Sequence, residues 1–222
     1  MISHKHKFLS IRIPKTASTS VTTVLKPYFD IQGTDDRETA YYFHAKAELV
    51  KDHFDSENWN FNSYFKFAFV RNPFERQVSL WEYAKKVVID YLENTDADKI
   101  LNDANFKDKM QIIKYENFQN WVIKSKEHFN QRPLPDGWTP QCRYICKDWD
   151  KALLVDFIGK TENIQQDFNT ICDKIGIPKQ KLPHKNASNH RHYTEYYNEE
   201  TRQIVENHYA KDLEYFGYEF GE

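Results

Sequence analysis

Residues 14–20 place a lysine and several small hydroxyl residues between a strand pattern and a helix pattern. They are Pro14, Lys15, Thr16, Ala17, Ser18, Thr19 and Ser20. The hydroxyl residues can cap the following helix, whose N-terminus adds partial positive charge, and Lys15 adds a full charge. We therefore expect a phosphate-binding loop. It is not the common nucleotide loop G-x-x-x-x-G-K-[ST], because no glycine lies between Met1 and Gln32.

A second strand-to-helix junction carries an arginine and, farther along the chain, a serine. Arg71 follows an aromatic strand pattern, and Asn72 and Pro73 are typical of a helix N-cap and first helical position. Ser79 lies about 100° round the predicted helix from Val78, away from the centre of its apolar face. We expect Arg71 and Ser79 to hold one phosphate between them, since a guanidinium matches phosphate oxygens.

The elements that position these residues alternate between strand and helix patterns. Strands are predicted at 8–13, 64–70 and 152–158, a possible extended segment at 39–43, and helices at 18–28, 45–54, 73–92, 117–129, 162–175 and 199–216. Such alternation predicts an α/β fold with a central, mainly parallel sheet flanked by helices. Ligands of such sheets bind beyond the carboxyl ends of the strands, where the loop at 14–20 and Arg71 both fall.

Both segments resemble motifs of sulfotransferases that use 3′-phosphoadenosine 5′-phosphosulfate (PAPS). Residues 14–20 are similar to the 5′-phosphosulfate loop P-K-T-G-[GST]-[ST]-[ST], and residues 71–83 are similar to the 3′-phosphate motif R-[ND]-P-x-x-R-x-x-S-x-[FWY]. The resemblance is closest to the carbohydrate type, including heparan and chondroitin sulfotransferases and soluble bacterial relatives, and it runs from about Phe8 to Tyr218. Ala17 departs from the pattern, because alanine replaces a frequent glycine and does not freely adopt positive φ.

The resemblance implies a P-loop-like three-layer domain that transfers a sulfuryl group from PAPS to a hydroxyl of a carbohydrate or similar acceptor. The product would be 3′,5′-ADP, and no metal is implied. Lys15 would stabilise the leaving phosphate oxygen. His44 opens a segment that resembles the H-A-x-x-x-E-L catalytic segment of heparan 6-O-sulfotransferases, and a histidine suits proton abstraction from a hydroxyl. The alternatives for the base are His53, Glu48 and His184.

Further downstream segments match the family in the same order along the chain. They imply that Lys160, Ser188 and Arg191 also contact the nucleotide. Aromatic side chains stack on sugars, although most aromatic residues of a chain belong to its core. The residues expected to line the acceptor cleft are Trp138, Pro140 and Gln141.

Two other function classes stay open. A P-loop-like nucleotide kinase or phosphotransferase would need a Walker lysine loop, which is missing here, and magnesium-binding carboxylates. A non-catalytic nucleotide- or anion-binding module would have the same fold but would not need catalytic residues. The presence of both Lys15 and His44 favours an enzyme over this module.

Composition limits the remaining possibilities. With 222 residues the chain is most simply one domain, and its net charge of −2 gives no basic field for nucleic acid or a membrane surface. The sequence shows no signal peptide and no membrane-spanning apolar run. Golgi members of the family that it resembles carry a membrane anchor, so the alternatives are a soluble cytoplasmic relative and an excised luminal domain. The start at Met1 favours the first, and we expect a soluble, cytoplasmic protein. The 3 cysteines argue against a disulfide framework, and Cys142-x-x-x-Cys146 lacks a second pair at metal-site spacing. Nothing in the pattern indicates an oligomeric state.

Overall fold

The computed structural model describes residues 1–96, 117–129, 136–148, 152–183 and 191–221. The chain divides into two compact units. The first comprises Met1–Arg71, Thr139–Ala187 and Glu214–Phe216, and the second comprises Asn72–Trp138, Ser188–Leu213 and Gly217–Glu222. Whether both units form one folding domain over 1–222 stays a prediction.

The first unit is built on a four-stranded, mostly parallel sheet. The strands of the described residues are β1 (Ile2–Ser3), β2 (Phe8–Ile11), β3 (Phe65–Val70), β4 (Cys146–Lys147), β5 (Ala152–Leu153) and β6 (Phe157–Lys160). The strand order in the four-stranded sheet is β1-β2-β3-β6. β2, β3 and β6 pair in parallel, β1 is antiparallel to β2, and β4 and β5 form a separate antiparallel pair. The predicted α/β class and mainly parallel sheet are thus confirmed. The single strand predicted at 152–158 was wrong, because this stretch divides into β5 and β6.

Among the described residues of the first unit, four complete α-helices accompany this sheet. They are α1 (Ser18–Leu25), α2 (Ala47–Ser56), α5 (Cys142–Ile145) and α6 (Ile164–Ile175). Phe8 and Phe67 of the sheet pack in one cluster with Leu25 of α1 and Phe168 of α6. Every residue of β2 is buried, which requires both faces of this strand to be covered and explains its unbroken apolar pattern. The P-loop-like and three-layer descriptions stay predictions.

The second unit is helical, with a core rich in aromatic residues. The α-helices in the part of this unit that the structure describes are α3 (Pro73–Asn94), α4 (Phe118–Ser125), α7 (Glu199–His208) and the first part of α8 (Ala210–Phe216). Trp121 packs 4.7 Å from Trp138 and 5.5 Å from Trp81 between ring centroids. Arg76 is fully buried in this unit, with its guanidinium 5.9 Å from the Tyr209 ring centroid. Because Arg76 is packed inside this core, we infer that its role is structural.

The connection between α1 and α2 differs from the sequence prediction. Residues 39–43 form turns with one isolated bridge from Thr34 to Tyr42, so the extended segment predicted there was wrong. Asp36 stabilises the turn, since its Oδ1 accepts a hydrogen bond from the Glu38 N–H at 3.0 Å. α2 begins at Ala47, after Lys46 in an extended conformation. His44 therefore precedes the helix and lies in a turn.

Within the described part of the chain, no helix has both the length and the apolar character needed to cross a bilayer. Among the same residues, no group of three or more histidine, cysteine or acidic side chains is arranged to hold a metal ion. The thiols of Cys142, Cys146 and Cys172 are buried and unbridged.

Candidate functional site

Three parallel strands end beside one another at one edge of the first unit's sheet. The register pairs Ile11 of β2 with Ala68 of β3, and Val70 of β3 with Lys160 of β6. Because neighbouring strands lie about 4.8 Å apart, the residues that follow them are close in space. The structure therefore brings the loop at 14–20, Arg71 and Lys160 to one sheet edge, where parallel sheets bind their ligands.

The loop at 14–20 has a strained backbone. Lys15 has a φ of 67°, and Ala17 has a φ of 55° with a ψ of 20°, so both residues are left-handed. Thr16 between them is 1% exposed and donates its hydroxyl to the Ile13 carbonyl at 2.9 Å, which closes the turn. Left-handed turn residues are typical of backbone nests that bind anions, and such strain is found mainly at functional sites.

The start of α1 lacks the side-chain cap that the hydroxyl residues were expected to provide. Its N-cap position is Ala17, which makes no side-chain cap, and the Ser20 N–H donates to the Ala17 carbonyl at 3.0 Å. The N–H groups of the first two residues, Ser18 and Thr19, have no partner within the helix and can face a ligand. Ser18 is partly buried and Thr19 is exposed beside this start, whereas Ser20 is 5% exposed.

We expect Ala17→Gly to raise the midpoint of thermal unfolding by about 2–4 °C, because glycine adopts positive φ without the roughly 1 kcal/mol cost of a β-carbon. Circular dichroism melts measure this change. Ala84→Gly is the matched control, since Ala84 lies inside α3 and glycine there should cost about 1 kcal/mol. A lower midpoint for both variants would contradict the strain that we assign to Ala17.

His44 is anchored to the end of β2. Its Nδ1 lies 2.9 Å from the Arg12 carbonyl oxygen. Because a carbonyl only accepts, Nδ1 carries the proton, and the lone pair of the neutral ring lies on Nε2. The Tyr42 ring packs edge-on at 5.8 Å between centroids. Since Arg12 precedes Lys15 by three residues, this bond brings a potential base to the sheet edge that carries the loop.

The other candidates for the base have different surroundings. His53 accepts or donates through Nε2 to the Tyr41 hydroxyl and packs on Trp59 at 5.6 Å between centroids. Glu48 lies in the first turn of α2. His184 lies outside the described residues. His44 is thus the candidate that the structure ties to the end of β2.

Arg12 adds positive charge at this edge, in addition to the residues predicted from the two motifs. Its guanidinium lies 5.0 Å from the Phe43 ring centroid, and burial lowers the pKa of the group. The Nε atom is buried, and no described residue bonds to it. An arginine within a strand pattern ordinarily indicates a solvent-facing position. The partial burial of Arg12 could therefore not be predicted from the sequence.

Arg71 is held through its backbone by Gln141. The Arg71 N–H donates to Gln141 Oε1 at 2.9 Å, and Gln141 Nε2 donates to the Arg71 carbonyl at 2.9 Å. Gln141 is 0% exposed. Its expected place in an acceptor cleft was wrong, because the amide is buried against a strand end. Trp138 and Pro140 are buried as well, so they do not form an open cleft.

Lys160, the last residue of β6, is positioned by the helix that follows. Its backbone N–H donates at 2.7 Å to Oδ2 of Asp167, in the first turn of α6. This bond closes the turn Thr161–Asn163. The side chain of Lys160 is partly buried at the same sheet edge as Arg71.

The remaining nucleotide candidates belong to the second unit or lie outside the described residues. Ser79 is 8% exposed on α3, so it is more buried than its place beside the apolar face predicts. Arg191 is exposed, with its guanidinium 4.7 Å from the Tyr196 ring centroid. Ser188 lies outside the described residues. Nucleotide contact by Ser79, Ser188 and Arg191 stays a prediction.

Comparisons with known proteins agree with the motifs. The model of the sulfotransferase family matches residues 1–219. The chain is 25% identical over 230 residues to carbohydrate sulfotransferase 9 of Homo sapiens, across 96% of this chain and 47% of that protein. It is 23% identical to carbohydrate sulfotransferase 14 of Mus musculus and 24% identical to that of Danio rerio, across 80% and 81% of this chain. The chain spans about half the length of the curated relatives it matches. No solved structure matches.

Proposed function

The chain belongs to the sulfotransferase family, and on this basis we propose that it transfers a sulfuryl group from PAPS to a hydroxyl of a carbohydrate. The observation that carries the proposal is the common sheet edge of the strained loop at 14–20, Arg71 and Lys160. His44 is tied to the end of β2, which leads into the same loop. The names of the relatives support a carbohydrate as the acceptor class.

The described residues fit the donor's two anionic ends. The left-handed turn and uncapped start of α1 suit the 5′-phosphosulfate, and the half-buried Lys15 supplies a cation beside them. Arg71 suits the 3′-phosphate, because its planar guanidinium can form two parallel hydrogen bonds with phosphate oxygens. Lys160 adds charge beside Arg71. The loop would act largely through its backbone at Thr16, since that hydroxyl is already bonded to Ile13.

Each reacting group has a residue that matches its chemical need. As SO3 moves to the acceptor oxygen, the phosphate oxygen it leaves gains negative charge, which the ammonium of Lys15 stabilises. The acceptor hydroxyl loses its proton to Nε2 of His44. Nδ1 keeps its proton on the Arg12 carbonyl, and this hydrogen bond stabilises the imidazolium that forms.

A kinase activity is less consistent with these observations than sulfuryl transfer. The family match covers residues 1–219, and the sequence has no Walker lysine loop. A non-catalytic module would not require an imidazole with its lone pair on Nε2 beside the loop. Independence from metal and a cytoplasmic location stay predictions.

Transfer of labelled sulfate from PAPS to a panel of acceptors tests this function. The panel contains desulfated glycosaminoglycans, a glycolipid, a tyrosine peptide and a small alcohol, with Lys15→Ala as the blank. We expect label in the polysaccharide or glycolipid, and background levels for the variant. Label confined to the peptide or the small alcohol would exclude a carbohydrate acceptor, and the absence of label throughout would count against the transferase.

A further inference from the structure

Gln141 extends the hydrogen-bonded ladder of the sheet by one residue. Val70 is the last residue of β3 and pairs with Lys160, so the backbone of Arg71 lies just beyond the strand pairing. The amide of Gln141 supplies an acceptor at 2.9 Å and a donor at 2.9 Å to this backbone. A side-chain amide has the same donor and acceptor as a peptide group, and here it takes the place of a neighbouring strand. We call these two bonds the Gln141 clamp.

The backbone of Gln141 is anchored at the start of α5. The Tyr144 N–H donates to the Gln141 carbonyl at 3.0 Å, at the start of α5. Tyr144 and Ile145 are 1% and 0% exposed, and α5 packs against α2 within the first unit. The backbone that carries the Gln141 side chain is therefore packed in the core of the first unit.

We propose that Gln141 is a positioning residue that fixes the backbone of Arg71, and thereby aims its guanidinium at the 3′-phosphate of the donor. This inference rests on the proposed function. Without the clamp, the Arg71 N–H and C=O would lose two partly buried hydrogen bonds, and the strand end would be free to shift. A displacement of about 1 Å is enough to misalign a guanidinium with phosphate oxygens.

A comparison of two nucleotides separates positioning from general support of the fold. They are 3′,5′-ADP and 5′-AMP, which lacks the 3′-phosphate. In Gln141→Met, which keeps the length of the side chain but removes both hydrogen bonds, we expect the Kd of 3′,5′-ADP to rise about tenfold. The Kd of 5′-AMP should change by less than about twofold, because Arg71 contributes little to its binding. An equal loss for both nucleotides would show a general structural role.

A second variant tests the clamp through pH. In Gln141→Glu the ionised carboxylate has only acceptors, so one oxygen faces the Arg71 carbonyl unfavourably. Protonation restores a donor at that oxygen, and burial raises the pKa of such a carboxyl group into an accessible range. We expect the ratio of variant to wild-type Kd for 3′,5′-ADP to fall towards one between pH 8 and pH 5. The same ratio for Gln141→Met should stay constant.

A double-mutant cycle assigns the effect to Arg71. In an Arg71→Ala background, Gln141→Met should change the Kd of 3′,5′-ADP by less than about twofold, because the group that it positions is gone. A full tenfold loss in that background would overturn the inference. Should Gln141→Met fail to fold, a pH-independent ratio for Gln141→Glu would overturn it equally.

The outcomes also distinguish the inference from the proposed function. If the wild-type chain binds 3′,5′-ADP no more tightly than 5′-AMP, the assignment of Arg71 to a 3′-phosphate fails, and the proposed function fails with it. If the wild type prefers 3′,5′-ADP but Gln141→Met keeps the full preference, only the positioning role is overturned.

Discussion

Lys15→Ala is expected to lower kcat for the proposed sulfuryl transfer by about 10²–10³-fold, because it removes the charge to which we assign stabilisation of the leaving phosphate oxygen. The unfolding midpoint should stay close to that of the wild type. Lysine and alanine face the same left-handed strain at this position, where φ is 67°. Initial rates at saturating PAPS and a parallel thermal melt measure both quantities.

Two controls belong with Lys15→Ala. Lys26→Ala removes an exposed lysine just after α1 and should change kcat by less than about twofold. Lys15→Arg keeps the charge but alters its shape, so it should retain more activity than the alanine variant. A Lys15→Ala enzyme within twofold of the wild-type rate would remove this lysine from the transition state.

His44→Asn is expected to reduce kcat by about 10²–10³-fold, within the range of a lost general base. Asparagine can still donate its amide proton to the Arg12 carbonyl, which His44 contacts at 2.9 Å. The anchor is thereby kept while the nitrogen that takes the proton is lost. The Kd of 3′,5′-ADP should therefore change little, and calorimetry of the variant measures it.

The pH dependence of the rate distinguishes a base from a packing residue. An imidazole base acts only when neutral, so the wild-type rate should decline on acidification, and His44→Asn should lack this decline. Glu48→Gln serves as the matched control on α2 and should retain most of the activity. A His44→Asn enzyme with near wild-type transfer, or with an unchanged acid limb, would assign proton abstraction to another residue.

Local sequence patterns predicted the strands and helices around the loop at 14–20, because the residues at their ends have strong conformational preferences. The aromatic run that became β3 is followed by Asn72, which caps α3 by accepting from the Phe74 N–H at 3.0 Å. Gly176 ends α6 in a left-handed conformation, which is typical of a glycine just after a helix. The prediction of one last helix at 199–216 was wrong, because the backbone bends at Tyr209, which is fully buried. The burial of Tyr209 depends on tertiary packing, which the periodicity of the local sequence does not show.

The site was less predictable than the elements, because its key contacts join distant parts of the chain. Resemblance to a motif suggested His44, but its bond to Arg12 spans 32 residues. The Gln141 clamp on Arg71 spans 70 residues, and no spacing rule indicates it. The left-handed Ala17 could not be foreseen either, since alanine does not signal positive φ. Sequence thus suggested candidates for the chemistry, and the fold showed which distant residues hold them in place.

Calorimetry without metal tests most directly whether the edge formed by β2, β3 and β6 receives a 3′-phosphorylated adenosine donor. With EDTA present, 3′,5′-ADP should bind at least about tenfold more tightly than ATP, because we assign to Arg71 the recognition of a 3′-phosphate, which ATP lacks. Tighter binding of ATP, or equal binding of the two nucleotides, would contradict the assignment of this edge to PAPS.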